Sequence, residues 1–506
     1  MKQKQNRIWN GIERFGNRLP HPVYIFIILT VVVFVVSALC SSIEFPHPNT
    51  GEAQHISNLM SKEGLTWFLQ SMVENFVTFS PLGVTLVAML GIGIAEETGL
   101  VKTVIKSSIA GAPKFLVTAI VLLVGIMGSL AGSATFVIIP PLGAMIFRGM
   151  GRHPIAGLAT GFAGVAAGLS ANLMVTQTDI LLSGITQSAA QIYDPNYTVN
   201  PTVNWYFMAA STVMLTIVGT IVVEKVIEPR LGEYKVEEGE PGAIETEDTT
   251  LTAVTAEEKS GMKWAGIAVL VYLAILAITI VPKNGILRGE DGAIIDSPFF
   301  SSMVPILTIF FLVAGLAYGI KTKVIKKSAD VVQLWGKSMA GLAGFVVLCF
   351  FAGQFVKAFA QSNLGLYLSV KGSEFLSGSS LTGAPLIVGF ICITMLINFM
   401  IGSASAKWAL MAPIFVPMFM KLGFTPAFTQ AAFRIADSVT NAVSPLEPFM
   451  PFIIMTALKY DRKSGLGSII ATMLPLVISF AISWIILILI WYKLNLPLGP
   501  GSSIFM

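Results

Sequence analysis

Four short polar clusters interrupt otherwise apolar stretches of this chain, and they fall into two pairs. Gly132-Ser133-Ala134-Thr135 has a counterpart in Gly402-Ser403-Ala404-Ser405, and the run from Asn172 to Asp179 has one in the run from Asp437 to Pro445. Hydroxyls and carbonyls freed by a break in a helix suit a cation, and the exposed N–H groups beside them suit an anion. Asp179 and Asp437 are carboxylates in apolar surroundings, a placement that points to function by default. Asn172, Thr176 and Asn441 add oxygens for ion coupling, and Pro445 removes a backbone donor and frees a carbonyl upstream. Arg434 lies three residues before Asp437 on the same helical face, so it can neutralise that carboxylate or hold one belonging to a substrate. Lys407 and Glu447 are further charges near the second pair of breaks, able to pair with each other across a cavity. Ser133, Ser403 and Ser405 read as binding hydroxyls or as small residues that let helices pack closely. Trp408 reads as a platform for an aromatic substrate or as a packing anchor.

Such clusters need elements to hold them, and composition fixes the kind. Of 506 residues, 54% are hydrophobic and 12% charged, with mean hydropathy +0.76. A soluble chain carries about a quarter of its residues as charges. The reading is an all-α integral membrane protein, since the apolar runs are too long and unbroken for a β-barrel. Spans are expected at 22–42, 81–98, 154–182, 206–226, 264–282, 300–320, 338–360, 426–458 and 467–492. The stretches 114–148 and 384–420 are each broken midway by a small polar cluster. Broken backbone at membrane depth survives only where protein or a cavity surrounds it, so both are read as re-entrant hairpins, making nine transmembrane helices plus two hairpins. Shorter amphipathic segments at 64–79, 100–112 and 362–380 suit the interface.

The loop charges agree. Lys2, Lys4, Arg7, Arg14 and Arg18 place the N-terminus in the cytoplasm, and nine spans then put Lys102, Lys106, Lys114, Arg148 and Arg152 on the same side. Residues 185–205 contain no Lys or Arg. Residues 233–259 form an acidic cytoplasmic linker between a first half (1–232) and a second (260–506). A net charge of +4 gives no reason to expect nucleic acid. Cys40, Cys349 and Cys392 are far apart and read as core or lipid-facing residues. The four histidines lie in loops or at span ends, and no HExxH or GxxxxGK[ST] motif occurs, so neither an enzyme nor an ATP-driven pump is expected.

A shift of 272 positions superposes Ser133 on Ser405, Pro141 on Pro413, Gly151 on Gly423 and Pro154 on Pro426 without a gap. By the span count, the first hairpin enters from the cytoplasm and the second from outside. Inverted repeats of this kind mark alternating-access transporters, whose substrate and ion sites lie where broken helices meet. A channel, the other class, needs no such pairing.

The stretches Gly402-Ser403-Ala404-Ser405-Ala406-Lys407-Trp408, Ala412-Pro413-Ile414-Phe415-Val416-Pro417-Met418 and Phe433-Arg434-Ile435-Ala436-Asp437-Ser438 resemble the signature of the p-aminobenzoyl-glutamate transporter (AbgT) family. Gly151-Arg152-His153-Pro154-Ile155-Ala156-Gly157 and Ile227-Glu228-Pro229-Arg230-Leu231-Gly232 extend it over nearly the whole chain. The resemblance implies nine spans plus two hairpins, a homodimer, and transport of p-aminobenzoyl-glutamate or export of sulfonamide antimetabolites. It implies functional roles for Asp179, Asn398, Ser405, Trp408, Pro426, Arg434 and Asp437. The expected protein is a bacterial inner-membrane secondary transporter without cofactor, coupled to protons or sodium. Arg434 and the tip N–H groups would bind carboxylate, Trp408 a ring, and Asp179 and Asp437 the coupling ion, with sodium at the hairpin tips as one possibility. Sodium-coupled dicarboxylate uptake and sulfonamide efflux by proton antiport are the alternatives.

Overall fold

The computed structural model describes residues 22–46, 52–110, 113–131, 134–234, 254–289, 292, 297–378, 383–399, 401–444, 447–462 and 464–506. Helix dominates. In chain order the longer helices are α1 (Pro22–Leu39), α2 (Lys62–Val77), α3 (Ser80–Glu97), α4 (Leu100–Ala110), α5 (Val117–Ile126), α6 (Ala134–Gly149), α7 (Pro154–Phe162), α8 (Gln177–Ala190), α9 (Trp205–Val222) and α10 (Ala256–Ile280). They continue with α11 (Met303–Lys321), α12 (Ser328–Gly341), α13 (Ala343–Gln361), α14 (Leu364–Gly378), α15 (Ala384–Asn398), α16 (Ala404–Lys421), α17 (Pro426–Val439), α18 (Met450–Leu458) and α19 (Leu466–Leu494). Two three-residue strands, β1 (Glu44–Pro46) and β2 (Ala53–His55), pair antiparallel.

Among the described residues, six stretches are long and apolar enough to cross a membrane: Lys62–Glu97, bent at Thr78–Phe79, then Trp205–Leu231, Ala256–Ile280, Met303–Lys321, Ala343–Gln361 and Leu466–Leu494. The two segments read as hairpins are each a helix, a break and a second helix: α5 and α6, then α15 and α16. The segments 154–182 and 426–458 are broken too. Beyond α7 the chain runs through a π-helical turn at Ala163–Ala167 into an irregular stretch before α8, and beyond α17 through a 3-10 turn at Asn441–Val443 before α18.

Residues 256–259, expected in the acidic linker, instead form the first turn of α10. Thr255 caps it, its Oγ1 accepting from Glu258 N at 3.1 Å while Glu258 Oε2 accepts from Thr255 N at 2.8 Å. The linker from 235 to 253, the basic residues before Pro22, Ser133 and Pro445 lie outside the described residues. Helix α12 was not foreseen; it lies between the lysines at 321–327 and the span at 338–360, and packs on α3.

Two packed regions form the core. The larger joins α5–α9 to α13–α19, and the smaller joins α3, α10, α11 and α12 around Ala88, Met89, Ile92, Phe311 and Tyr318. The first-half helices approach through glycines: a side chain at Gly157 would meet the backbone of Gly143, and one at Gly164 would meet the backbone of Gly125. Small residues thereby lock α5 and α6 against α7, as they do between helices in membranes. Elements of the two halves coincide under the 272-residue shift. The helical run Pro154–Ala167 maps onto Pro426–Val439, and the left-handed glycines before them, Gly151 (φ 75°) and Gly423 (φ 86°), map onto each other. His153 and Thr425, likewise 272 apart, are both N-caps with a side chain accepting a backbone N–H.

Candidate functional site

The two broken helices meet. Ser170, in the turn after α7, donates its N–H to Ser438 Oγ near the end of α17 at 3.1 Å. From α17, Arg434 reaches back across this crossing, donating from Nη2 to Ser170 O and from Nη1 to Asp179 Oδ1, both at 2.6 Å. Arg434 and Asp179 are 0% and 3% exposed at their side chains. Asp179 is the third residue of α8, where the helix N-terminus favours an anion. Its Oδ2 accepts from Thr176 N and Thr176 Oγ1, each at 2.7 Å, and from Asn172 Nδ2 at 3.0 Å. The cluster Asn172–Thr176–Asp179 is therefore a preformed carboxylate nest whose outer oxygen is held by the other half of the chain.

A second buried pair lies beside it. Lys407, in the first turn of α16, places Nζ 2.7 Å from Asp437 Oδ1, with side-chain exposures of 0% and 1%. The same ammonium donates to Asn398 Oδ1 at the end of α15. Asn398 Nδ2 contacts Asp437 O at 2.9 Å, Thr440 Oγ1 at 2.6 Å and Asn441 Oδ1 at 2.8 Å. The second hairpin is thus fastened to the second break by one amide and one ammonium.

These geometries correct two expected pairings. Arg434 and Asp437 share a helical face but do not form an ion pair: each is claimed by a partner from another element, Asp179 for the arginine and Lys407 for the aspartate. Lys407 likewise makes its ion pair with Asp437 and not with Glu447. Glu447 is buried at the second break.

Trp408 is buried completely. Its ring lies 4.4 Å from that of Phe433 at 30°, and its Nε1 donates to Thr186 Oγ1 of α8 at 2.8 Å. Thr186 in turn meets Gln430 Oε1 at 2.6 Å, and Gln430 Nε2 donates to Asn204 Oδ1 at 3.0 Å. In this conformation the tryptophan anchors α16 to α8 and α17, with no exposed ring surface. Pro426 opens α17 as its first residue and is buried. Ser403 caps α16, accepting from Ala406 N at 3.3 Å, and lies 3.2 Å from Ser405 Oγ on the exposed tip of the second hairpin.

Sequence reasoning did not single out Ser170, Thr186, Asn204, Gln430, Ser438 or Thr440, which complete this network. The available signal was a hydroxyl or amide inside an apolar helix, costly in lipid unless paired. Several buried polar atoms at the crossing have no hydrogen-bond partner among the described residues: Arg434 Nε, Asn172 Oδ1, Ser170 Oγ and Asp437 Oδ2, the carboxylate oxygen that Lys407 does not hold. Such atoms cost about 1–3 kcal/mol each when left unmade. A cavity of about 670 Å³ lies along α8, lined by Ser183, Gln187, Asn200, Ser297 and Ser301 among others. Ser183 stands one turn from Asp179 on the same face of that helix.

A sequence-family model described as "AbgT putative transporter family" matches residues 7–506. The p-aminobenzoyl-glutamate transport protein of Escherichia coli (strain K12) is 39% identical over 501 residues, covering 98% of this chain and 97% of that one. Among solved structures, the YdaH transporter of Alcanivorax borkumensis superposes with a TM-score of 0.89 at 36% identity, covering 95% of this chain and 100% of that one. MtrF of Neisseria gonorrhoeae, described as illuminating a class of antimetabolite efflux pumps, superposes with a TM-score of 0.91 at 41% identity, covering 98% and 100%.

Proposed function

The chain belongs to the AbgT family of membrane transporters, and from that premise we propose that it moves p-aminobenzoyl-glutamate or a related aminobenzoyl dicarboxylate by ion-coupled secondary transport. The observation that carries this reading is the guanidinium of Arg434, buried where the two breaks meet and bonded to an anionic side chain of the other half. A substrate carboxylate competing with Asp179 for Arg434 would uncouple the two breaks, and this links binding to movement. The tip hydroxyls of Ser403 and Ser405 lie on the same hairpin as Lys407 and offer a second polar contact. The cavity beside Ser183 falls within the usual size of small-molecule sites, about 300–1,000 Å³.

The proposed topology is nine crossings and two re-entrant hairpins in the bacterial inner membrane, with the N-terminus in the cytoplasm. The halves are 1–232 and 260–506, joined by a linker across 233–259, and the assembly is a homodimer. Helix lengths support the hairpins. The 16 residues of α6 and the 15 of α15 reach roughly 24 and 22 Å at about 1.5 Å per residue, short of a hydrocarbon core of about 30 Å. Cysteines placed at Ser133 and Ser405 in a cysteine-free background should react with impermeant thiol reagents from opposite sides. Labelling of both from one side in every condition sinks the inverted arrangement.

The deciding experiment is flux of labelled p-aminobenzoyl-glutamate in proteoliposomes under imposed proton and sodium gradients. Counterflow without net flux identifies a carrier, and its absence with rapid equilibration identifies a channel. The likeness to MtrF favours a second reading, sulfonamide efflux by proton antiport, which the same vesicles test with a labelled sulfonamide.

A further inference from the structure

Three buried carboxyls stand at the two breaks, Asp179, Asp437 and Glu447, and two buried cations, Arg434 and Lys407. Arg434 is bonded to Asp179 and Lys407 to Asp437, which leaves Glu447 without an ion pair among the described residues. If all five groups were charged, the site would hold a net charge of −1. An isolated buried charge is the most expensive arrangement available, and a carboxyl in that position avoids it by binding a proton.

The surroundings of Glu447 fit that role better than those of the other two. Asp179 accepts three hydrogen bonds beyond the one from Arg434, so its charge is stabilised in place. Asp437 is the ion-pair partner of Lys407, whose ammonium also meets Asn398 Oδ1 and lies 6.0 Å from the Phe433 ring centroid. Glu447 follows the 3-10 turn that ends the second broken helix, and its N–H donates to Ser444 O at 3.2 Å. The groups that act on its carboxyl are the Phe449 amide, Asp437 of α17 and Lys407 of α16. Glu447 therefore senses the neighbouring ion pair without belonging to it. When that pair is intact Glu447 meets a neutral partner, and when α16 shifts relative to α17 it meets a bare charge of one sign or the other.

We infer that Glu447 is the group that takes up and releases the coupling proton, while Asp437 remains the counter-ion of Lys407. The proton leaves water on one side of the membrane, binds a carboxylate oxygen of Glu447 and leaves to the other side, with no bond to substrate and no change of oxidation state. This assignment rests on the reading of the chain as an ion-coupled carrier, and it deepens that reading by naming the ion and its seat.

The test uses the full-length protein in proteoliposomes and the variants Glu447→Gln, Glu447→Asp and Asp437→Asn. Glu447→Gln should retain counterflow of p-aminobenzoyl-glutamate but lose accumulation driven by a pH gradient, and Glu447→Asp should accumulate with a shifted pH midpoint. Accumulation by Glu447→Gln at the wild-type level overturns the assignment. If Glu447→Gln does not support counterflow, Glu447→Asp decides, and an unshifted midpoint counts against Glu447. Wild-type protein that accumulates substrate only with sodium refutes Glu447 but leaves the carrier reading standing. Should the wild type show no counterflow of this substrate, the substrate reading fails while the proton site is still decided by infrared titration without ligand. The carbonyl band of a neutral carboxyl that titrates in the wild type must vanish in Glu447→Gln and persist in Asp437→Asn, and a band that survives in Glu447→Gln refutes the inference.

Discussion

Removing Arg434 tests whether the two breaks are held together by charge. Arg434→Met deletes two hydrogen bonds of 2.6 Å, to Asp179 Oδ1 and Ser170 O, from a side chain with 0% exposure. Breaking a buried ion pair from one side costs about 3–5 kcal/mol, because the remaining charge is uncompensated. Here Asp179 keeps the amide and hydroxyl of Thr176 and the amide of Asn172, so the loss should lie near the lower end, about 3 kcal/mol. Asp179→Leu is the harsher change. It strands a guanidinium whose Nε already has no partner among the described residues and leaves it Ser170 O alone, for about 5 kcal/mol.

The double variant Arg434→Met/Asp179→Leu removes both charges and should cost well under the sum of the two, with a coupling energy of about 2–3 kcal/mol. Reversible denaturant unfolding in mixed micelles of the four proteins completes the cycle. A coupling below about 0.5 kcal/mol, the scatter expected of independent sites, would refute the reasoning. Repeating the cycle with saturating p-aminobenzoyl-glutamate extends the test to function: if a substrate carboxylate takes Arg434 from Asp179, the coupling must fall in its presence.

Trp408→Phe should lose about 1 kcal/mol of stability with the hydrogen bond to Thr186, and should weaken p-aminobenzoyl-glutamate and plain glutamate equally, because the ring is buried against Phe433. Weaker binding confined to the aromatic ligand, measured by titration calorimetry, would restore a substrate-stacking role. Gly157→Ala should destabilise by about 1–3 kcal/mol, since its new carbon meets the Gly143 carbonyl and the Phe147 ring, whereas Gly149→Ala meets open space and should stay within about 0.5 kcal/mol. Thermal unfolding of the pair checks it. Burial holds the His153 imidazole below its ordinary value near 6.5, against the opposite pull of Asp461 and Glu228, and its Nδ1 accepts the Ile155 N–H that starts α7. The unfolded chain therefore binds the proton more readily, and stability present above about pH 6.5 is lost as pH falls toward the depressed folded value. His153→Asn, which caps without titrating there, should flatten that slope in unfolding measured against pH.

Periodicity and polar interruption made much of this architecture legible. Apolar runs of bilayer length identified the long helices, and Gly-Ser clusters inside such runs identified the breaks, because backbone that leaves a helix in apolar surroundings needs residues that satisfy it. Local spacing failed at the ion pairs. Arg434 and Asp437 are three residues apart, which allows contact, but a guanidinium chooses among all carboxylates within reach, and Asp179 lies 255 residues away in sequence. The same limit hid the network of Trp408, Thr186, Gln430 and Asn204, whose members come from α16, α8, α17 and the turn before α9. Helix α12 was missed for another reason. Its apolar content is low, and its start was marked only by Asp330, whose Oδ2 accepts from the amides of Lys326 and Lys327 at 2.8 and 3.0 Å.

The shift of 272 residues brings out an asymmetry that bears on mechanism. It carries Arg434 onto Phe162, Asp437 onto Val165, Lys407 onto Thr135, Asn398 onto Ile126 and Glu447 onto Val175, while Asp179 maps forward onto Pro451. Trp408 falls on Phe136, which stacks on Phe449 at 4.6 Å as Trp408 stacks on Phe433. Helix ends and caps are thus repeated, while the two rings find partners that the shift does not relate and each of these charges occurs once. The first half closes its hairpin onto its broken helix through glycines in backbone contact. The second half closes its hairpin through Asn398 and Lys407, a joint whose strength depends on charge. Two similar frames joined by unequal fastenings give a structure in which one hairpin is held by shape and the other by electrostatics. If a carboxylate substrate or a proton enters this site as proposed, the fastening it can alter is that of the second hairpin, through Lys407 and Asn398.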